Sequence, residues 1–387
     1  MNFSILVQSH SRRYLRIAVA AFFFVQGLSF AAWASRIPDI KNMLHLSEGG
    51  LGSVLLALPV GLMASLPISG WMVTKYGSRN MALIGAILYA VTLILIGSVS
   101  SVEQLVIVLF AFGLWGNLTN IAINTQAVEA EQIYGKSIMA SFHGVWSMAG
   151  FLSAIIGSLF ITSHISPNIH FVFIAIAALA IILVANRHTL PEQTKKNETS
   201  QPLFVKPDRD LLLLGLIGFC AMVCEGAMFD WSGVYFQEVV GVPSKLTTLG
   251  YVAFMGTMTT GRFAGDWLAN KIGRKKMLNF SGLLMGSGLL IAVLLPYMQT
   301  ATFGFMLVGF GVSSVVPLVY SATGRSKSMS PGMALAAVSS ISFIGFLIGP
   351  PLIGLVAHFA SLQISFAIVA ILASLTAYLA NKAKLIQ

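Results

Sequence analysis

The sequence predicts an all-α membrane protein of twelve transmembrane helices arranged as two pseudo-symmetric six-helix bundles, and three observations carry that expectation. Of 387 residues 56% are hydrophobic and 9% charged, with a mean hydropathy of +0.84, which leaves too little charge for a water-facing surface. Apolar runs of about 20 residues recur from end to end, each long enough to cross a hydrocarbon core of roughly 30 Å as a helix. The second half of the chain also repeats features of the first.

The runs fall near residues 17–36, 49–72, 81–99, 104–128, 138–162, 170–186, 211–235, 247–268, 277–296, 302–322, 333–357 and 363–381. The first lacks a small-residue cleavage site and leads straight into the next helical pattern, so it reads as a span and not as a signal peptide. Cys220 and Cys224, one helical turn apart inside the seventh run, read as packing residues, since two isolated thiols lack the partner ligands of a metal site.

A net charge of +10 raises the question of nucleic acid, and the placement of the charges answers it. With both termini in the cytoplasm, 19 of the 23 Lys and Arg fall in cytoplasmic segments; Arg36, Lys41 and Lys245 lie outside and Arg262 within a span. That is the positive-inside pattern, so the basicity encodes orientation in a bacterial inner membrane and not nucleic-acid binding.

The polar stretch 188–210 separates six runs from six and is expected to be a cytoplasmic linker between bundles 1–187 and 211–387. The halves echo each other across it. GWMVTKYGSRN from Gly70 follows span 2 and DWLANKIGRKK from Asp266 follows span 8, 196 residues on. GFL at Gly150 recurs at Gly345, and VQGLSF at Val25 aligns with CEGAMF at Cys224. Repeats of six spans imply two bundles related by a pseudo-two-fold axis, with a central site near mid-membrane.

The duplicated loop, a Gly followed by apolar, polar and basic residues, a second Gly and a basic cluster, resembles the signature loop of the major facilitator superfamily between spans 2–3 and 8–9. The resemblance covers the whole chain and implies the major facilitator fold, a small-molecule substrate and a monomer in the bilayer. More narrowly, SRIPDIK from Ser35, SFHGVWSMAG from Ser141, EGAMFDWSGVY from Glu225, GRFAGDWL from Gly261 and FLIGPPLIG from Phe346 look like the YbjJ-type branch, itself similar to fucose permease. The usual acid of the loop is replaced by Thr74 in one copy and Asn270 in the other. The acids of spans 1 and 4 in fucose-permease-like proton symporters have no counterparts around Trp33–Ala34 or Asn117–Asn124.

Ionisable groups inside a membrane are costly and point to function. Glu225 and Asp230 are five residues apart, about 140° around a helix, and so cannot share a face. Glu225 lies at substrate depth, where it is expected to line the cavity and carry coupling protons, with its repeat mate Gln26 supplying a neutral hydrogen bonder in span 1. A purely structural bond to a neighbouring helix is the alternative. Asp230 lies near the outer surface and reads as a gate or helix-end group.

Arg262 and Asp266 share a face of span 8 at i and i+4 and are expected, near its cytoplasmic end, to form an inner latch. The resemblance places Arg274, with Lys271 and Lys275, in the same network. Asn117, Asn120 and Asn124 make a polar stripe on span 4, and His143, Trp146 and Gly150 repeat that spacing on span 5. Amides and a ring suit a neutral, hydroxyl-rich solute, although bonding between helices would use the same amides. His143 is a candidate proton relay near the cytoplasmic end. Arg36 and Asp39 stand at the outer end of span 1, where Pro38 interrupts the helix, as an outer gate or a solvated pair. Tyr320, with Pro317, marks span 10 as cavity-lining and bendable, as do Gly345, Gly349, Pro350 and Pro351 in span 11.

There is no GxxxxGK[ST] loop and no HExxH, so neither ATP-driven work nor zinc catalysis is expected, and no cofactor or metal. The chain is expected to be no enzyme but a secondary transporter of a sugar- or nucleoside-like solute working by alternating access, with protons as the coupling ion. Efflux of amphipathic drugs or metabolites and a non-transporting solute sensor are the alternatives.

Overall fold

The computed structural model describes residues 9–134, 138–190, 207–323, 325–326 and 331–386. The expected linker at 188–210 lies largely outside them. Fifteen α-helices follow in order: α1 (Ser9–Ser35), α2 (Ile37–Met43), α3 (Glu48–Leu55), α4 (Ala57–Tyr76), α5 (Ser78–Ile96), α6 (Val102–Tyr134), α7 (Met139–Thr162) and α8 (Pro167–Ala185), then α9 (Arg209–Glu238), α10 (Leu249–Ile272), α11 (Arg274–Leu294), α12 (Met298–Ser313), α13 (Val315–Thr323), α14 (Pro331–Phe359) and α15 (Leu362–Lys382).

Prolines set the breaks between consecutive helices. Pro38, Pro59 and Pro317 have no N–H to offer the carbonyls four residues back, those of Ala34, Leu55 and Ser313, and the chain breaks at Arg36, Leu56 and Ser314. The second and tenth apolar runs therefore each comprise two helices. Pro350 and Pro351 behave differently: α14 runs through them unbroken. Among the described residues eleven helices are long and apolar enough to cross a membrane. The 24-residue α10 is not one of them, because Arg262, Asp266 and Lys271 lower its apolarity.

Contacts group the helices into two compact units, Met1–Arg36 with Ala57–Thr199, and Ile37–Leu56 with Ser200–Gln387. In the first, α1 packs on α7 and α8, α4 on α6, and α5 on α6 and α8. In the second the corresponding spans pair in the same way: α9 on α14 and α15, α10 on α12, and α11 on α12 and α15. Small residues make this close packing possible, as expected where lipid removes any hydrophobic drive between helices. A Cβ on Gly113 of α6 would run into the carbonyl of Leu58 on α4; one on Gly309 of α12 would run into that of Phe254 on α10. Both glycines and both carbonyl residues are 196 positions apart, the offset of the repeated loop.

The loop copies also agree. Lys75 Nζ sits 4.6 Å from the centre of the Trp71 ring, and Lys271 Nζ 5.0 Å from that of Trp267. Each helix then ends at a glycine with positive φ, Gly77 at 84° and Gly273 at 87°, a conformation that strains any residue with a Cβ. A division of the chain at its centre would assign residues 37–56 to the first half, yet they pack in the second unit. There Ile37, Pro38 and Ile40 are buried, α2 lies on α9 and α3 on α14.

Candidate functional site

In the second unit α9 is buried on nearly every side, as a helix at the heart of a bundle must be. Glu225, near its middle, is 6% exposed. The side chain facing it comes from α10: Arg262 donates from Nη2 to Glu225 Oε1 at 3.1 Å. Arg262 lies ten residues before the end of its helix, about 15 Å in at 1.5 Å per residue, so it stands deeper than the cytoplasmic latch to which its spacing from Asp266 assigned it. The Asp266 side chain is outside the described residues.

Burying two charges costs several kcal/mol each, and only a well-made pair repays it; removing one partner costs about 3–5 kcal/mol because the other is stranded. Around the pair, Phe229, one turn beyond Glu225 on α9, stacks on Phe346 of α14 at 6.5 Å and meets Phe254 of α10 edge-on at 5.7 Å. Gly226 faces Phe346, which a Cβ there would touch at 3.1 Å. Tyr320 of α13 lies within Coulombic reach of Glu225 and beside Ser339 of α14. Carboxylate, guanidinium, phenol and an aromatic wall thus come together within one unit. Asp230, partly exposed on the same helix, stands apart from them. Arg274 is the first residue of α11 and is partly exposed.

In the first unit several of the polar candidates are engaged by neighbouring backbone carbonyls and side chains. Gln26 of α1 donates from Nε2 to the Gly116 carbonyl of α6 at 2.9 Å, while its Oε1 is buried without a hydrogen-bond partner among the described residues. Asn117 donates to Ser65 Oγ at 2.7 Å, tying α6 to α4. Asn124 donates to the Asn120 carbonyl at 2.8 Å on the same helix, and both amides are partly exposed. Trp146 packs 6.1 Å from Phe30. His143 is exposed in the second turn of α7, edge-on to Phe23 at 5.3 Å.

Arg36 is not solvated. It is 2% exposed and donates from Nε to His170 Nδ1 at 3.2 Å and from Nη2 to the Ile165 carbonyl at 2.9 Å, fastening the end of α1 to α8. Asp39 is partly buried in the first turn of α2. One charged cluster had no sequence signal beyond the ends of apolar runs. Lys41 of α2 pairs with Glu238, the last residue of α9, and lies 3.5 Å from Glu48, the first of α3. Among the described residues no group of three or more His, Cys, Asp and Glu side chains is placed to hold a metal ion.

A family model described as Major Facilitator Superfamily matches residues 18–331 and 254–382. The chain is 33% identical over 350 residues to an uncharacterized MFS-type transporter of Yersinia pestis, covering 90% of this chain and 91% of that one. Its fold is similar to the crystal structure of a bacterial homologue of the human lysosomal transporter Spinster, with a TM-score of 0.77 at 14% identity over 97% of this chain and 98% of the other. The crystal structure of a D-xylose-proton symporter is similar too, with a TM-score of 0.73 at 13% identity over 95% and 96%.

Proposed function

Because the chain belongs to the major facilitator superfamily and is a multi-pass membrane transporter, we propose that it moves a small polar organic solute across the bacterial inner membrane by alternating access, coupled to protons through Glu225. The observation that carries this reading is the ion pair between Glu225 and Arg262 inside α9 and α10. A carboxylate in that position has two states: ionised and held by Arg262, or protonated and no longer held as an anion. The access side can then decide which is populated. Tyr320 lines the same place, and the partly exposed amides of Asn120 and Asn124 suit hydroxyl and ring-nitrogen groups of a sugar- or nucleoside-like solute. A proton symporter among the proteins of similar fold supports the coupling. Gating by Asp39, Asp230, Asp266 and Arg274 belongs to the same reading.

The test is proteoliposomes holding a pH-sensitive dye, exposed to a panel of sugars, nucleosides and organic acids. At least one solute is expected to drive proton entry, and Glu225→Gln is expected to abolish that entry while leaving the protein folded. Undiminished solute-driven proton movement in Glu225→Gln would remove Glu225 from coupling. A panel that moves no protons at all would remove the coupling itself.

A further inference from the structure

We infer that the joint between the start of α11 and the end of α15, both in the second unit, is a binding site for an anionic phospholipid. Its phosphate is held by Lys276 and Lys382, and its acyl chains run along the apolar faces beside them. The inference is independent of the solute and of the coupling ion. On α11 the side chains of Lys276, Phe280 and Leu283 are exposed, at spacings of four and three that make one face. On α15 those of Leu375, Tyr378 and Lys382 are exposed at spacings of three and four. The two helices meet closely: a Cβ on Gly282 would run into the backbone N of Ala377, and Asn279 donates from Nδ2 to Asn381 Oδ1 at 3.1 Å. Lys276 lies three residues before Asn279, about 4.5 Å along the helix, and Lys382 directly follows Asn381. That bond therefore sets both lysines beside one seam, each at the end of an apolar face.

Charge separates this joint from an ordinary lipid-covered surface. α11 opens on Arg274, Lys275 and Lys276 with no acid in its first turn, and neither α11 nor α15 contains an Asp or Glu at any position. The acid recorded against the joint is Asp210 in the first turn of α9, whose Oδ1 accepts from the backbone N–H of Lys384 at 3.5 Å. One carboxylate beside Lys275, Lys276, Lys382 and Lys384 leaves the joint basic. Helix stability does not account for that, since cations at a helix start oppose the dipole. Orientation in the membrane does not account for it either, because the positive-inside rule asks for cations on one side and not at one particular joint. The repeat-related joint of the first unit, α5 on α8, presents Ser78, Arg79 and Asn80 with Asn186, Arg187 and His188. It carries two Lys or Arg where the same six positions of α11 and α15, 274–276 and 382–384, carry five.

A lipid phosphodiester supplies the anion. Lysines on long flexible stems beside an apolar face reach a headgroup at the membrane surface while their methylenes stay on that face. Lys382 does so already, with Nζ 5.6 Å from the centre of the Tyr378 ring. Each such lysine favours an anionic over a zwitterionic lipid by about fivefold. A zwitterionic lipid would cover the same faces without bringing net charge. A free phosphate ester would bring charge with nothing to lie on Phe280, Leu283 and Leu375.

Two measurements test the site. The first reads the lipid beside it in a bilayer. Tyr378→Trp is reconstituted in mixtures of phosphatidylglycerol and phosphatidylethanolamine, one or the other carrying brominated acyl chains, and the fluorescence that this residue adds over the wild type is followed. Brominated phosphatidylglycerol is expected to quench it as a lipid favoured by about fivefold for each lysine. Adding Lys276→Gln and Lys382→Gln is expected to bring the two lipids close to equality. Adding instead Arg79→Gln and Arg187→Gln, which removes as much charge from the other joint, is expected to leave the preference in place. No preference in Tyr378→Trp, or an equal loss with the two pairs of substitutions, overturns the site.

The second uses delipidated wild-type protein in detergent. Phosphatidylglycerol is expected to raise its melting temperature, phosphatidylethanolamine and sn-glycerol 3-phosphate at the same concentration are not, and the double variant Lys276→Gln with Lys382→Gln is expected to lose the gain. Equal stabilisation by phosphatidylethanolamine would show that the faces take acyl chains without regard to headgroup charge. Equal stabilisation by sn-glycerol 3-phosphate would show a phosphate site that needs no lipid. Either result overturns the proposal, as does a gain from phosphatidylglycerol that survives in the double variant.

Discussion

Arg262 Nη2 stands 3.1 Å from Glu225 Oε1, and with 17% and 8% of their side-chain surfaces exposed neither group has much water to turn to. The bond between them offsets part of the cost of burying each charge. Single variants Glu225→Ala and Arg262→Ala should each lower the melting temperature by several degrees, in line with about 3–5 kcal/mol for a stranded buried charge. The double variant should be no worse than the poorer single one, because removing both charges removes the penalty. Additive losses in a thermal double-variant cycle would show that the two side chains do not depend on each other.

Arg36 joins His170 of α8 and the Ile165 carbonyl in the turn before it, and these bonds lie within one unit. Such a residue should behave as a fastening and not as a gate. His170 accepts at Nδ1, so its proton is on Nε2, a nitrogen buried without a partner among the described residues. Arg36→Ala would leave the buried His170 acceptor unmet at about 1–3 kcal/mol and the partly buried Ile165 carbonyl without this donor, and the expected result is a lower melting temperature. Arg36→Lys, which can serve one acceptor but not both in the planar-fork geometry, should fall between. A variant that melts like the wild type yet transports abnormally would return Arg36 to a gating role.

Much of this fold was legible because the bilayer leaves one solution for each apolar run, a helix, and because the 196-residue offset repeats at Trp71 and Trp267, Lys75 and Lys271, Gly77 and Gly273. The site was less legible for a geometric reason. Glu225 stood out as an acid in an apolar run, but its partner Arg262 is 37 residues away, and helical spacing points only to neighbours on the same helix, which for Arg262 meant Asp266. The same blindness hid the Lys41, Glu48 and Glu238 cluster, whose members are up to 197 positions apart. Asn117 shows the opposite case: its stripe is real, but its amide is used on Ser65, which no spacing rule distinguishes from a solute contact.

The matched approaches at Gly113 and Gly309 predict matched sensitivity. In both, a methyl group would meet a backbone carbonyl, Leu58 or Phe254, and backbone gives way only if the helices part. Gly113→Ala and Gly309→Ala should each cost about 1–3 kcal/mol as overpacking and lower the melting temperature. Gly70→Ala, where an added Cβ would meet nothing within 4 Å, should be neutral or slightly stabilising in its helix. Equal melting of all three variants would contradict the close packing of α4 on α6 and of α10 on α12.

Lys41 lies between two carboxylates, Glu238 at the end of α9 and Glu48 at the start of α3, and its side chain is 9% exposed against 26% and 31% for theirs. It therefore holds α2 and α3 to α9 by charge as well as by packing. Lys41→Gln would leave Glu48 and Glu238 facing the same vacated place, and like charges so close repel in a medium less polar than water. Hydrogen exchange across residues 37–56 should rise about tenfold, equivalent to about 1.4 kcal/mol of lost local stability, with no change in α5 or α6. Adding Glu48→Gln removes the repulsion and should restore much of the protection, as should acidification enough to neutralise either carboxylate. Unchanged exchange in Lys41→Gln would mean that Gly52 against Gly354 and Pro38 against Gly233 hold this segment by packing alone, and that the charges are incidental to it.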